Sequence, residues 1–182
     1  MAGGTALALQ LGHRDSVDFD FFTNKNIDTK ILFDSIQEAF KGRSVKKVQE
    51  EKNTLTVVID GNIKISFFTY KYPLLDELVV EDNFRLASVR DIAYMKLSAI
   101  ISRSTMKDYV DLYFILQSVN LDELLEGVIK KFPEIDINLI LKSLVYFDDI
   151  IDEEIIFKND QMVTIDSLKQ FFKELVKKYN EQ

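Results

Sequence analysis

Apolar and polar residues alternate along Val17-Asp18-Phe19-Asp20-Phe21-Phe22, and this period of two predicts a strand over Ser16 to Thr23. Successive side chains on a strand point to opposite faces, so Asp18 and Asp20 share one face, roughly 6–7 Å apart. Before it, Thr5 to Gln10 are helix formers between a glycine pair and Gly12, which predicts a short helix with Thr5 able to cap it. After it, Ile31, Leu32, Ile36, Ala39 and Phe40 recur at helical spacing, with Asp28 as N-cap and Gly42 as the stop. Three β-rich runs follow, Ser44 to Thr54, Leu55 to Asp60 and Ile63 to Tyr72, with Asp60-Gly61-Asn62 supplying turn chemistry between the last two. The period then changes. Ser88-Val89-Arg90-Asp91 has the form of a capping box with an Asp in the acidic place, opening a helix to about Ile101. Further helices are predicted over Lys107 to Gln117, Leu121 to Lys131, Ile137 to Phe147 and Ile165 to Tyr179, interrupted by Pro133 and the Asp148-Asp149 turn. Strands first and helices afterwards predict an α+β fold, with residues 1–86 as a sheet-containing core and 87–182 as a helical part packed on it.

Composition narrows what this fold can do. The chain has 182 residues, 47% of them hydrophobic, enough for one compact domain with a real core. A formal charge of −7 argues against non-specific nucleic-acid binding by charge alone, though not against a local basic groove. There is no cysteine, which excludes a disulfide framework, a zinc–thiolate site and a cysteine nucleophile. The single histidine, His13, cannot build a multi-histidine metal centre. No apolar run is long enough to span a membrane and no basic-then-apolar leader opens the chain, so a cytoplasmic location without a membrane partner is expected.

The carboxylate pair carries the chemistry. Burying Asp18 and Asp20 unpaired would cost several kcal/mol. A divalent cation removes that cost, and Mg²⁺ favours one or two carboxylates completed by phosphate oxygens and water. An isolated Asp-x-Asp is more often a solvated edge-strand face, or a pair of acids neutralised here by Arg14 and Lys25. The context "GGTALALQLGHRDSVDFD" favours the metal. Gly3 and Gly4 stand at a helix start, where free amides and the helix dipole attract phosphate, and Thr5, Arg14 and Ser16 lead from there into the strand. A phosphate cradle followed closely by a metal-binding strand makes a coherent site for a nucleoside triphosphate and Mg²⁺ or Mn²⁺.

Gly3-Gly4-Thr5-Ala6-Leu7, followed by Gly12-His13-Arg14-x-Ser16-x-Asp18-x-Asp20, strongly resembles the AbiEii/AbiGii toxin type of nucleotidyltransferase, a relative of DNA polymerase β. The stretch "MKLSAIISRSTMKDYVDLYFIL" is similar to that family's helical pattern at Lys96, Arg103, Lys107, Asp108 and Asp111, so the likeness covers about residues 3–117. The resemblance implies a polymerase-β-like core, a small mixed sheet with helices, followed by a C-terminal helical part. It also implies nucleotide binding by Gly3, Gly4, Thr5, Arg14 and Ser16, metal binding by Asp18 and Asp20, and catalytic roles for Asp18, Asp20, Lys96 and Asp108. The expected reaction moves an NMP from an NTP to a hydroxyl of RNA, a tRNA end included, or of a protein, with a cognate antitoxin as partner. Two departures stand out. The third carboxylate of polymerase-β-like enzymes aligns with Ser66, which leaves a catalytically silent nucleotide-binding or partner-binding relative as the alternative. Family members also carry a helix and an apolar segment ahead of the glycines, whereas Met1 stands two residues before Gly3, as in a shortened relative or a chain whose start is set downstream. For His13, a structural loop role is expected, with catalysis as the alternative. Lys96 is read either as a snorkelling lysine or as a phosphate contact. Asp108 and Asp111, three apart on one helix face, either pair with Lys107 or Arg103 or take part in the site.

Overall fold

The computed structural model describes residues 1–81, 84–151, 153–159 and 161–181; Gln182, the end of the expected helical part, lies outside them. The chain runs α1 (Gly3–Leu11), β1 (Asp18–Thr23), α2 (Thr29–Ala39), β2 (Val45–Glu51), β3 (Thr54–Ile59), β4 (Ile63–Thr69), β5 (Val79–Glu81), β6 (Phe84–Leu86), α3 (Val89–Ser102), α4 (Met106–Ile115), α5 (Leu121–Lys131), α6 (Ile137–Val145) and α7 (Ile165–Asn180). Four strands form a mixed sheet in the order β1-β4-β3-β2, with β1 parallel to β4 and the other neighbours antiparallel. It is the α+β arrangement that the strand-then-helix pattern predicts. The pair β5 and β6 was not predicted, because two three-residue strands carry too short a pattern to register.

The two faces of the sheet have different fates. Leu55 and Val57 of β3 are buried with Ile36 of α2, and Phe67 of β4 packs against them while stacking on Phe21 at 5.4 Å. The opposite face carries Asp18, Asp20 and Phe22 on β1 and Lys64, Ser66 and Phe68 on β4, paired in that order by the parallel register. A second, larger core joins Ala6 and Leu7 of α1 to Leu97 and Ile100 of α3, Leu112 and Ile115 of α4, and Leu168 and Phe172 of α7. The cleft lies between the polar face of the sheet and these helices.

The helix starts follow their sequences only in part. Asp28 caps α2 by accepting from the amides of Lys30 and Ile31. Thr5, by contrast, does not cap α1, which begins two residues earlier at Gly3; its hydroxyl bonds Ser16 Oγ at 2.7 Å and the carbonyl of Asp18. At α3 only half of the capping box forms. Ser88 Oγ accepts from the Asp91 amide at 2.9 Å, while the Asp91 carboxylate turns away to accept from the amides of Leu75 (3.1 Å) and Asp76 (3.0 Å) and from Lys131 Nζ (2.7 Å). Both side chains of the Asp91–Lys131 pair are fully buried, and Lys131 also donates to the carbonyl of Pro73. One ion pair thus ties the segment after β4 to α3 and α5.

Removing one member of such a pair strands the other charge in the core, which costs about 3–5 kcal/mol. Asp91→Ala is therefore expected to lower the unfolding free energy by about that amount, as read from urea denaturation, whereas removing the exposed ion pair of Arg43 with Asp60 should leave stability nearly unchanged.

Candidate functional site

The chain is tightly packed where α1 meets β1. Gly3 adopts φ +80°, and a Cβ there would lie 3.0 Å from Asp20 Oδ2; a Cβ on Gly4 would lie 2.6 Å from Arg14 Nη2. Both positions therefore need glycine, Gly3 for its backbone angle and Gly4 for the guanidinium beside it. The Ala2 amide donates to the Asp20 carbonyl at 3.0 Å, which holds the N-terminal end of α1 against the strand that bears the two acids. That end carries the unpaired amides and the positive pole of the helix.

Asp18 is about half exposed and lies 3.8 Å from Lys64 Nζ. Asp20 is half-buried, and its carboxyl is pushed above the usual range by burial first and by the neighbouring Asp18 second. Ser66 is the partner of Asp20 in the β1–β4 register and Lys64 the partner of Asp18. These groups, with Gly3, Gly4 and Lys96, line a cleft of about 800 Å³. Among the described residues no group of three or more His, Cys, Asp or Glu side chains could hold a metal by itself. Two carboxylates that need phosphate oxygens and water to complete a coordination shell suit Mg²⁺ bound together with a polyphosphate. Gly3, whose missing side chain leaves room beside Asp20, keeps that space open.

The helical residues named by the family pattern converge from the other wall. Lys96, on α3 and 6% exposed, donates to Asp108 at 2.7 Å and lies 2.6 Å from Asp111, both on α4. Asp108 also accepts from Arg103 Nε at 3.0 Å and from Thr105 at 2.8 Å. Asp111 is bound by both Arg14 Nε (2.7 Å) and Nη2 (2.9 Å), and by His13 Nε2 (2.8 Å). Of the pairings weighed for these groups, the one between Asp108 and Arg103 forms and, among the described residues, the others do not. Arg14 serves Asp111 and not the Asp18–Asp20 pair, Lys107 reaches Glu153 at 3.6 Å, and Asp108 takes Arg103. Thr5, Ser16 and Arg14 stand at the back of the glycine turn and brace it. His13 is buried with its ring tilted against Phe114, centroids 4.9 Å apart, and its Nδ1 is without a partner among the described residues. The loop they occupy is also paired to the chain's later part: the Asp15 amide donates to the Ile156 carbonyl at 2.8 Å and the Lys158 amide to the His13 carbonyl at 3.0 Å.

Sequence reasoning missed Lys64 and the anchoring function of Asp111. Lys64 could have been found, since it alternates with Ser66 on β4 and so shares its face. The Asp111–Arg14 contact joins residues far apart in the chain and has no local signal.

Burial alone would raise the Asp111 carboxyl, but the Lys96 charge and the bonds from His13 and Arg14 outweigh it and hold it well below the usual carboxylate range. Asp108 is lowered in the same way, burial being outweighed chiefly by Lys96. A depressed folded-state value means the stabilisation is complete above the unfolded value of about 4 and is lost as acid protonates the carboxylate in the folded state. Unfolding free energy is thus expected to fall as pH drops below about 4. Asp111→Asn should be destabilised at neutral pH by about 3–5 kcal/mol and show a flatter acid limb in urea titrations across pH.

A family model described as the nucleotidyl transferase AbiEii toxin of a type IV toxin–antitoxin system matches residues 1–178. An uncharacterized protein of Aquifex aeolicus is 40% identical over 187 residues, covering 100% of this chain and 87% of that protein. Among solved structures, JHP933 of Helicobacter pylori superposes with a TM-score of 0.56 at 19% identity, over 100% of this chain and 84% of its own. An H. pylori protein assigned to the nucleotidyltransferases gives 0.53 at 18% identity, over 99% and 86%. At such identities the two structures speak for the fold, which they share with this chain. No helix among the described residues is long and apolar enough to cross a membrane. With its glycine turn, its acidic strand and nearly all of its length matched, the chain belongs to the AbiEii nucleotidyl transferase toxin family.

Proposed function

We propose that the cleft transfers a nucleoside monophosphate from an NTP to a hydroxyl of an RNA, a tRNA end included, or of a protein, and that a cognate antitoxin is the partner restraining it. The observation that carries this reading is the contact between the Gly3–Gly4 end of α1 and the Asp18–Asp20 face of β1. One part of the site suits phosphate and the other suits the cation that accompanies it. Gly3 and Gly4 bind the triphosphate through backbone amides. Asp18 and Asp20 would hold Mg²⁺ or Mn²⁺, which when bound offsets the charge of the phosphates and of the leaving pyrophosphate. The acceptor oxygen forms its bond to the α-phosphorus as the bond to pyrophosphate breaks, and the hydroxyl proton passes to solvent. Lys96 lends a fixed positive charge at the cleft wall; burial alone would lower its pKa, but the Asp111 and Asp108 carboxylates raise it and keep it protonated. Asp108 aims that ammonium, together with Asp111, and so acts through Lys96. Thr5, Ser16 and Arg14 hold the glycine turn at the distance phosphate binding requires.

Ser66 in register with Asp20 favours a second reading, a relative that binds nucleotide without turnover, because a serine hydroxyl is a poor base at neutral pH. Positioning and charge neutralisation are the contributions left to the site, and in phosphoryl transfer these are the principal ones.

Calorimetric titration of each NTP, with and without Mg²⁺, separates the readings. The wild type is expected to bind only with metal, and Asp18→Ala with Asp20→Ala to lose that binding at least tenfold while keeping its melting temperature within a few degrees. Equal binding by both proteins would overturn the site assignment. Binding without pyrophosphate release on any RNA or protein acceptor would leave the silent relative.

A further inference from the structure

We propose that Tyr72, with Phe22, Phe68 and Tyr70, is the wall on which the nucleobase of the NTP stacks. The inference rests on the nucleotide reading of the cleft and specifies its second half. All four rings line the same cleft as Gly3, Gly4 and Asp20. Along β1 the face changes character in one step: Phe22 follows Asp20 at the next position on that side, roughly 7 Å on, and the parallel register sets Phe68 beside it as Ser66 stands beside Asp20. Phe22 stacks on Phe68 at 5.3 Å and meets Tyr70 edge-on at 5.5 Å; Tyr70 meets Tyr72 at 5.3 Å, and Tyr72 meets Phe132 at 4.7 Å. A triphosphate on the glycine turn therefore places its ribose between the acids and a continuous aromatic surface. Tyr72 ends that surface with half of its area open to solvent.

The wall is anchored from behind. Lys131 lies 5.7 Å from the centre of the Tyr70 ring, donates to the Pro73 carbonyl, and is paired with Asp91, which also binds the amides of Leu75 and Asp76. Burying such a pair is costly, and its partners here are the backbone just beyond Tyr72. The rings are held in place before any ligand arrives, so little entropy remains to be lost when a base stacks on them. Base-on-aromatic stacking is strong and tolerant of base identity.

The test compares ligands with and without a base. With Mg²⁺ present, inorganic tripolyphosphate and each NTP are titrated into wild type, Tyr72→Phe and Tyr72→Ala. Expected are tighter binding of NTP than of tripolyphosphate by wild type and by Tyr72→Phe, and about a tenfold loss for NTP alone in Tyr72→Ala. Unchanged tripolyphosphate binding then shows that the variant is folded and its phosphate site intact. Equal affinity of wild type for both ligands, or an NTP affinity that Tyr72→Ala leaves alone, would overturn the wall and leave the phosphate site standing. A variant that binds NTP normally but loses transfer assigns the rings to the acceptor and overturns the proposal in the same way. Absence of binding by either ligand to wild type would remove the nucleotide reading itself, and the wall with it.

Discussion

The Asp111 carboxylate, buried on α4 and gripped by Arg14, His13 and Lys96, is the interaction on which the rest of the cleft depends. It crosses from the helical part to the loop between α1 and β1, and that loop sets both the glycine turn and the first acid. Arg14 fills the space that a side chain on Gly4 would need, so ion pair and glycine specify each other. The cost of burying these charges is offset most fully at Lys96 and Asp111, each opposed by more than one partner. Lys96 faces two carboxylates, and Asp111 faces three nitrogen-bearing side chains.

From this anchor the sheet builds an asymmetric surface. One face is closed by α2 over Leu55, Val57 and Phe67. The other presents, row by row, Asp18 with Lys64, Asp20 with Ser66 and Phe22 with Phe68. Two charged or polar rows give way to an aromatic one. Lys64 brings a positive charge to the strand on which polymerase-β-like enzymes place their third acid.

Much of this was legible in the sequence. The alternation over Val17 to Phe22 fixes which side chains share a face, whatever packs against them. Long helices such as α5 and α7 announce themselves by period, and Asp28 announces its cap. Short or long-range features do not: β5 and β6 are too brief to show a period, and Asp91 matches a capping box yet spends its carboxylate on amides upstream and on Lys131. A local motif describes what a side chain can do nearby, and tertiary partners then compete for it. Arg14 is the clearest case, since its sequence neighbours suggest phosphate or the Asp18–Asp20 pair, while its bonds go to a helix far along the chain.

The pairing of the His13–Asp15 loop with residues 156–158 bears on how the protein is made. Synthesis runs from the N-terminus, so the glycine turn and the acidic strand leave the ribosome first, without Asp111 and without the backbone partners at Ile156 and Lys158. A nascent chain holding Gly3, Gly4, Asp18 and Asp20 still lacks the parts that lock them into register. The packing around the glycine turn is therefore completed only when translation is nearly finished.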